Sequence, residues 1–393
     1  MRVVGVICEY NPFHKGHAYH LAQARALSGA DYTVCAMSGS VTQRGHFARH
    51  DKWTRAHMAL LNGADLVLEL PARFACASAQ EFAGGGVNLL SSLGVTTHLS
   101  FGCEKESLPQ LKSAAKALAS ETPAFKAALR AHLERGMPYP RARALAAQEA
   151  SGITNLAEIV ARPNAALALE YLAALPGDMI PVPVPREGAG YHDDTICALP
   201  SATAVRAAIA RGDMEAALSA VSSPDLLAAS ETRGDTHDEE ALTQALLYRL
   251  RTASAQELRD IAGMDEGLEY RFLSAAQSAY SREALLALVK TKRYTRARLS
   301  RLAALTLLGV TRDFAAQSRK PTYARVLGFR RDAAPLLREI KEKADVPLIT
   351  KTAGFNDPLF ALDVRAQDLW SLGCTSPALR KSGRDYTTSP VMI

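Results

Sequence analysis

The sequence predicts an α/β protein, in which a doubly wound parallel sheet is followed by a mostly helical C-terminal domain. Apolar runs at 3–8, 31–37, 65–70 and 97–101 have the length of buried parallel strands. Segments with helical spacing separate these runs, and this alternation is typical of βαβ units. Beyond residue 240 the apolar residues recur mainly at helical spacing. The two patterns together predict the fold class.

The first predicted strand leads into a loop and a helix that carry histidines. The strand ends at Glu9, Asn11-Pro12 marks a loop, and a helical pattern begins at His14-Lys15-Gly16-His17. Open α/β sheets bind ligands outside the carboxyl ends of their strands. A helix N-terminus there offers free N–H groups to an anion, and a glycine lets a phosphate approach the backbone. We therefore predict a phosphate site at His14, Gly16 and His17.

These histidines have two other interpretations. They could be polar loop residues without a ligand, or, with His20, part of a zinc site. No acidic residue is placed as in an H-E-x-x-H motif, and Lys15 would oppose a bound cation. The phosphate interpretation is favoured because it uses the strand end, the helix start and the glycine together.

The next elements follow in chain order. A turn at 38–40 precedes a polar loop with Arg44, and a helix over 51–61 ends at Asn62-Gly63. A helix is also predicted over 78–93, although three consecutive glycines at 84–86 weaken it.

Residues 105–175 are predicted to be mostly helical, with Asn164 as the N-cap of a helix over 165–175. A strand at 179–184 leads into a glycine-rich loop with Arg186 and Glu187, which is either a ligand site or a surface turn with a solvated ion pair.

A Ser-x-Thr-x-x-Arg pattern follows this loop. Ser201 or Thr203 is expected to cap a helix that carries Arg206. The pattern is weak on its own because it is also a plain capping motif, and it becomes informative only when joined to the upstream histidines.

A change of composition at 222–240 predicts an exposed acidic linker. We place the domain boundary there, with a catalytic domain at 1–225 and a helical, basic domain at 226–393. A short strand is predicted at 347–350, and the polar tail at 382–393 is expected to be mobile.

The composition of the 393 residues is that of a globular protein, with 48% hydrophobic and 22% charged residues. Six cysteines occur without a C-x-x-C pair, which argues against structural zinc and for buried free thiols in a reducing compartment. No apolar run approaches the roughly 18 residues that span a membrane, and the N-terminal run is too short for a signal peptide. We therefore expect a cytoplasmic protein without a membrane partner.

Positive charge is concentrated in one segment. Residues 290–331 contain 12 Lys or Arg and one acid, whereas the rest of the chain is mildly acidic. A solvated helix face is the usual explanation of such a run. Because an aromatic residue interrupts it, RNA binding is favoured. The predicted tRNA-contacting residues are Lys290, Lys292, Arg293, Tyr294, Arg296 and Arg298.

The motifs resemble those of a known family. H-x-G-H after a first strand is similar to nucleotidylyltransferases that cleave ATP between its α- and β-phosphates. The longer strings E-Y-N-P-F-H-K-G-H, M-S-G-S-V-T-Q-R-G, R-E-G-A-G-Y-H-D and K-R-Y-T-R-A-R-L-S-R-L resemble the bacterial tRNA(Met) cytidine acetate ligase family along the whole chain. The Ser-Ser-Thr of many nucleotidylyltransferases is Ser201-Ala202-Thr203 here, a change that removes no ionisable group.

The resemblance implies a Rossmann-like fold of the HIGH type and a two-step reaction. ATP and acetate would form acetyl-adenylate, and the acetyl group would pass to N4 of the wobble cytidine of elongator tRNA(Met). The implied catalytic residues are His14, His17 and Arg206, with Mg²⁺ neutralising the phosphates and no residue assigned as a metal ligand. The other implied ATP-binding residues are Ile7, Cys8, Glu9, Tyr10, Asn11, Pro12, Phe13, Lys15, Gly16, Ala18, Tyr19, His20, Gly102, Asn164, Arg186, Glu187, Ser201 and Thr203.

Two alternative functions belong to other classes. A coenzyme-type adenylyltransferase would share the H-x-G-H site, but such enzymes are usually shorter and lack a basic helical half. A non-catalytic RNA-binding protein could use ATP as a switch. The sequence assigns no oligomeric state.

Overall fold

One sheet of eight strands organises the molecule. The computed structural model describes residues 1–104, 106–185 and 200–393. The strands run in the order β5-β4-β1-β2-β3-β6-β7, and β8 pairs with β6. Their bounds are β1 Val3–Cys8, β2 Tyr32–Ser38, β3 Leu66–Leu70, β4 His98–Cys103, β5 Ile180–Pro185, β6 Ala324–Phe329, β7 Leu348–Ile349 and β8 Val391–Met392.

The helices of the described N-terminal half alternate with the strands or are inserted between β4 and β5. They are α1 Lys15–Ser28, α2 Lys52–Leu61, α3 Ala72–Ala75, α4 Ala79–Ser91, α5 Leu108–Ala119, α6 Pro123–Glu134, α7 Tyr139–Ser151, α8 Leu156–Ala161, α9 Pro163–Ala174, α10 Ala202–Ala210 and α11 Met214–Ala220.

Helices dominate the remainder of the chain. They are α12 Pro224–Arg233, α13 Thr243–Thr252, α14 Ala255–Arg259, α15 Leu268–Ser278, α16 Arg282–Val289, α17 Arg296–Leu308, α18 Arg312–Gln317, α19 Ala334–Lys343, α20 Pro358–Leu372 and α21 Arg384–Thr387. Short 3-10 turns lie at Glu239–Leu242, Arg331–Ala333 and Pro377–Leu379.

The sheet is buried on both faces, as its continuous apolar strands predict. Val3 of β1 belongs to the core beneath α4 and α9, whereas Val4 and Val6 belong to the core beneath α1, α2 and α10. The five strands of the N-terminal half are all parallel, and β6 is antiparallel to β3. The predicted doubly wound sheet is therefore confirmed, with an antiparallel addition from the C-terminal half.

The strand order places a crevice at the end of β1. This strand lies between β2 and β4. The connection from β1 to β2 therefore covers one face of the sheet, and the connection from β3 to β4 covers the other. Such a switch point opens a crevice at the carboxyl ends of the strands, where ligands bind in this architecture. The loop that follows β1 is the one that carries His14 and His17.

Several sequence predictions about elements are confirmed. The five N-terminal strands, the helix through the three glycines and the short strand near 348 are present, with ends shifted by one or two residues. The five described cysteines are free, and four of them are buried. The N-cap prediction for Asn164 is wrong: α9 begins at Pro163, so Arg162 occupies the cap position.

The exposed linker predicted at 222–240 is also wrong. Helix α12 occupies much of it, and Ser230, Asp235, Thr236 and His237 are buried. His50 forms a β-bridge with Thr236, and His237 forms one with Cys374. The sheet includes strands from both sides of residue 225. The division into a catalytic domain at 1–225 and a basic domain at 226–393 therefore stays a prediction.

The C-terminal tail is packed, contrary to the expected mobility. Its β8 strand pairs with β6, and Asp385 of α21 is fully buried. The Asp385 carboxylate forms ion pairs with Lys52, at 2.7 Å, and with Arg325. Glu69 joins both cations, so one cluster of buried charges ties the tail to α2, β3 and β6.

Candidate functional site

The N-terminus of α1 is built by its two histidines. His14 is the N-cap, and its Nδ1 atom accepts a hydrogen bond from the Gly16 N–H at 3.1 Å. The His17 Nδ1 atom accepts from the His14 N–H at 3.2 Å, which completes a capping box in which histidines take the usual roles of Ser and Glu. The two rings stack with centroids 3.6 Å apart. The cap therefore fixes both imidazoles at the positive end of the helix.

Close packing around this cap accounts for Gly16. A Cβ atom at this position would lie 3.0 Å from the His14 ring and 3.4 Å from the Pro200 carbonyl oxygen. Tyr10 and Phe13 are buried beneath the His17 ring, with centroids 4.8 and 5.6 Å from it. The sequence pattern predicts that His14, Gly16 and His17 come together at a strand end, and the structure places them there.

Helix α10 brings a cation to the same loop. Ser201 caps it by accepting a hydrogen bond from the Ala204 N–H at 3.0 Å. Arg206 donates to the backbone oxygen of Asn11 and, at 3.4 Å, to the hydroxyl of Thr203. The Ser-x-Thr-x-x-Arg pattern is thus placed beside the H-x-G-H loop, as predicted.

Arg55 was not predicted, yet it holds the loops of the site. It is fully buried, and its guanidinium donates to the backbone oxygens of Glu9 at 2.7 Å and Ser38 at 2.9 Å, and to that of Gly39. Burial lowers the pKa of Arg55 to about 10, so the group stays charged at neutral pH. Only its position in the apolar pattern of α2 could have indicated this role.

At the end of β4, Gly102 and Asn164 lie near a carboxylate. Glu104 accepts hydrogen bonds from the Asn164 N–H at 3.1 Å, the Asn164 side-chain amide at 2.7 Å and the Ala165 N–H at 3.0 Å. The acid therefore satisfies the first N–H groups of α9 and fixes the Asn164 amide at the site.

A single cavity of about 1720 Å³ joins these groups to the basic segment. On one side it is lined by His14, Gly16, His17, Gly102, Asn164, Ser201, Thr203 and Arg206. On the other side it is lined by Arg293, Arg298, Arg301, Arg312 and Arg319. The residues predicted to bind phosphate and a basic wall thus share one space.

The basic segment is partly neutralised by acids. Arg293 pairs with Glu266 at 2.9 Å, Arg298 pairs with Asp265 at 2.5 Å, and Arg296 pairs with Glu283. Lys290 and Lys292 are exposed. Tyr294, which is predicted to contact tRNA, is only 5% exposed, and its hydroxyl donates to the Glu266 backbone oxygen at 3.1 Å, so its ring is not available to stack on a base.

Two predicted residues, Arg186 and Glu187, lie outside the described residues. In the described ranges no group of three or more His, Cys, Asp or Glu side chains is arranged to hold a metal ion. Within those ranges, likewise, no helix is long and apolar enough to cross a membrane.

Comparisons with known proteins agree with this geometry. The family model of the HIGH nucleotidyl transferases matches residues 1–385. Two proteins named tRNA(Met) cytidine acetate ligase are similar over the full chain. The relative from Syntrophomonas wolfei is 37% identical over 100% of this chain and 99% of its own length, and that from Acetivibrio thermocellus is 36% identical over 100% of both.

Solved structures of Thermotoga maritima TmcAL are similar throughout. The apo crystal form matches with a TM-score of 0.94 and 31% identity over 100% of both chains. The form bound with alpha-thio ATP matches with a TM-score of 0.92 and 31% identity, over 100% of this chain and 99% of that one.

Proposed function

Because this chain belongs to the tRNA(Met) cytidine acetate ligase family of HIGH nucleotidyl transferases, we propose that it activates acetate with ATP and transfers the acetyl group to a cytidine of tRNA(Met). The finer assignment is N4 of the wobble cytidine of the elongator tRNA. The single observation that carries the proposal is the cavity that joins the histidine-capped helix terminus to the arginine-lined wall. A ligase with two half-reactions needs both a polyphosphate site and an RNA surface in one space.

The first half-reaction uses the N-terminal side of the cavity. An acetate oxygen attacks the α-phosphorus, and pyrophosphate leaves. The imidazoles of His14 and His17 and the amide groups of the α1 terminus stabilise the charge on the phosphate oxygens. Arg206, Ser201 and Thr203 bind the pyrophosphate side, while Gly102 and Asn164 contact the rest of ATP.

We also propose that Mg²⁺ accompanies ATP. Mg²⁺ usually keeps several waters and is bound chiefly through substrate phosphates. It would supply charge neutralisation on the phosphates. Because tRNA is the proposed acceptor, we place the protein in the cytoplasm.

The test uses labelled acetate, ATP and tRNA(Met), and follows pyrophosphate and tRNA-bound label separately. We expect ATP-dependent label in the tRNA. Pyrophosphate without labelled tRNA would indicate another acceptor, as in a coenzyme-type adenylyltransferase. Binding of ATP and tRNA with neither product would indicate an ATP-switched RNA-binding protein.

Replacement of His17 tests the assignment of the phosphate site. A glutamine can accept the hydrogen bond of the His14 N–H and so preserve the helix cap, but it lacks an imidazole. We expect His17→Gln to lower the rate of pyrophosphate formation about 100-fold or more while tRNA binding persists. His57→Ala, on α2 and away from the cavity, is the matched control. Unchanged pyrophosphate formation in His17→Gln would contradict the assignment.

A further inference from the structure

Glu9 is an unusual residue in the wall of this cavity. It follows β1, is half-buried, and lines the cavity next to the loop that carries His14 and His17. Three other acids in the wall have cationic partners: Glu81 pairs with Arg73 and Glu170 with Arg143, both at 2.5 Å, and Glu239 pairs with Arg282 at 3.2 Å. Within the described ranges, no cation lies within 4 Å of the Glu9 carboxylate.

Phosphate binding does not explain this carboxylate. The cavity must accept the phosphates of ATP and of RNA, and an uncompensated negative charge opposes both by Coulomb repulsion. A role in helix capping is also excluded, because α1 is capped by His14 and His17. A hydrogen-bond donor on a substrate would give the carboxylate a partner.

The position of Glu9 is fixed from several sides. One carboxylate oxygen accepts a hydrogen bond from the Gln43 N–H at 2.7 Å, and Arg55 donates to the Glu9 backbone oxygen at 2.7 Å. The Gln43 side chain donates to the Ala77 carbonyl oxygen at 3.1 Å, and the Gln43 carbonyl oxygen accepts from Arg301 of α17 at 3.4 Å. Glu9 is therefore held between the loop that carries His14 and His17 and helix α17 of the basic segment. In the proposed function, the two substrates of the transfer step must meet there.

We propose that the Glu9 carboxylate binds the exocyclic amino group of the target cytosine and takes its proton during acetyl transfer. This inference rests on the proposed function. The N4 nitrogen attacks the carbonyl carbon of acetyl-adenylate, a nitrogen–carbon bond forms, and the bond between that carbon and the phosphate oxygen breaks. AMP leaves with the electron pair of the broken bond, and the N4 proton passes to Glu9. A positioned base of this kind typically contributes 100-fold or more to the rate.

The same contact would distinguish cytosine from uracil. Cytosine presents an N4 amino donor, for which a carboxylate is a suitable acceptor, whereas uracil presents an oxygen acceptor at the equivalent position. The carboxylate would repel that oxygen. An amide at residue 9 could either accept or donate and would tolerate both bases.

The experiment compares the full-length wild type with Glu9→Gln and Glu9→Asp. We expect Glu9→Gln to slow acetyl transfer to tRNA about 100-fold more than it slows pyrophosphate formation from acetate and ATP. Glu9→Asp, which keeps a carboxylate, should recover part of the transfer rate. Wild-type protein should also bind tRNA(Met) with cytidine at the target position about tenfold more tightly than the uridine version, and Glu9→Gln should lose this preference.

The outcomes separate the inference from the function on which it rests. Normal transfer by Glu9→Gln would overturn the role of Glu9 and leave the ligase intact. Equal loss of both half-reactions in Glu9→Gln, with weaker binding of Mg²⁺-ATP, would assign Glu9 to the nucleotide instead and overturn the inference. Absence of transfer in the wild type would overturn the proposed function itself.

Discussion

At the scale of a residue, Glu231 predicts how stability depends on pH. Burial raises the pKa of this carboxyl group, but hydrogen bonds from His50 and Arg49 outweigh burial and lower the pKa to about 2. The Arg49 guanidinium donates to both carboxylate oxygens, at 2.8 and 2.7 Å. Because the folded pKa lies below the ordinary value of 4.5, the stabilisation is complete above pH 4.5 and is lost as the pH falls toward 2.

Glu231→Gln should therefore lower the free energy of unfolding at pH 7 by roughly 2 to 3 kcal/mol. The difference from wild type should become smaller as the pH is lowered below 4.5. Urea unfolding at pH 7, 4.5 and 3 measures this. The exposed Glu215 provides the control, and Glu215→Gln should stay within about 0.5 kcal/mol of wild type. A Glu231→Gln deficit that does not shrink in acid would show that its charge is not the cause.

A site residue could be predicted from the sequence where the residues that define its role lie within a few positions of it. His14, Gly16 and His17 could be assigned because a strand end, a helix start and a glycine occur within a few positions. Arg55 could not, because its acceptors at Glu9 and Ser38 are far away in sequence. The charged neighbours of Tyr294 predict an RNA contact, whereas its side chain belongs to a core that it shares with residues of α15, α16 and α17.

At the scale of an element, the glycines of α4 allow a matched test. A Cβ atom at residue 85 would lie 2.4 Å from the Phe74 Cβ atom, whereas one at residue 84 would have no heavy atom within 4 Å. We expect Gly85→Ala to destabilise the protein by about 1 to 3 kcal/mol through overpacking. Gly84→Ala should instead stabilise it by up to about 1 kcal/mol, because alanine is the better helix former. Thermal unfolding of the two variants without substrate is the measurement, and equal effects would contradict the packing of α4 on α3.

The helices and parallel strands were predictable because apolar periodicity is a local property. The segment at 222–240 was not, because its acidic composition resembles that of a linker. Helix α12 forms there because Leu227 packs into the core beneath α1 and α2, and because Glu231 accepts hydrogen bonds from the Arg49 and His50 side chains on the loop before α2. Partners distant in the chain therefore override a composition that favours exposure.

At the scale of the whole molecule, the two halves are held together by ion pairs between residues that are far apart in the chain. Lys52, Glu69, Arg325 and Asp385 come from α2, β3, β6 and α21 and meet in a buried cluster. Each of these charges has its partners in other elements of the chain. The docked tail and the β6 strand could not be predicted for this reason, although the site at the end of β1 could.

The paired and unpaired cations of the basic segment at 290–331 predict how tRNA binds across the whole molecule. Arg293 and Arg296 already have carboxylate partners, whereas Arg319 and Lys320 are exposed and no acid in the described ranges lies within 4 Å of either. A cation that neutralises an RNA phosphate releases counterions, and each such contact contributes about 0.7 to 0.9 to the slope of log Kd against log salt.

Arg319→Gln/Lys320→Gln should therefore reduce the slope for tRNA(Met) by about 1.5, while Arg293→Gln/Arg296→Gln should reduce it by less. The second pair of substitutions removes the same formal charge but also frees two carboxylates, so it is the matched control for net charge. Filter binding at several KCl concentrations gives both slopes. Equal reductions would mean that tRNA responds only to net charge, and a larger effect at Arg293 and Arg296 would mean that RNA displaces their carboxylate partners and contacts these arginines directly.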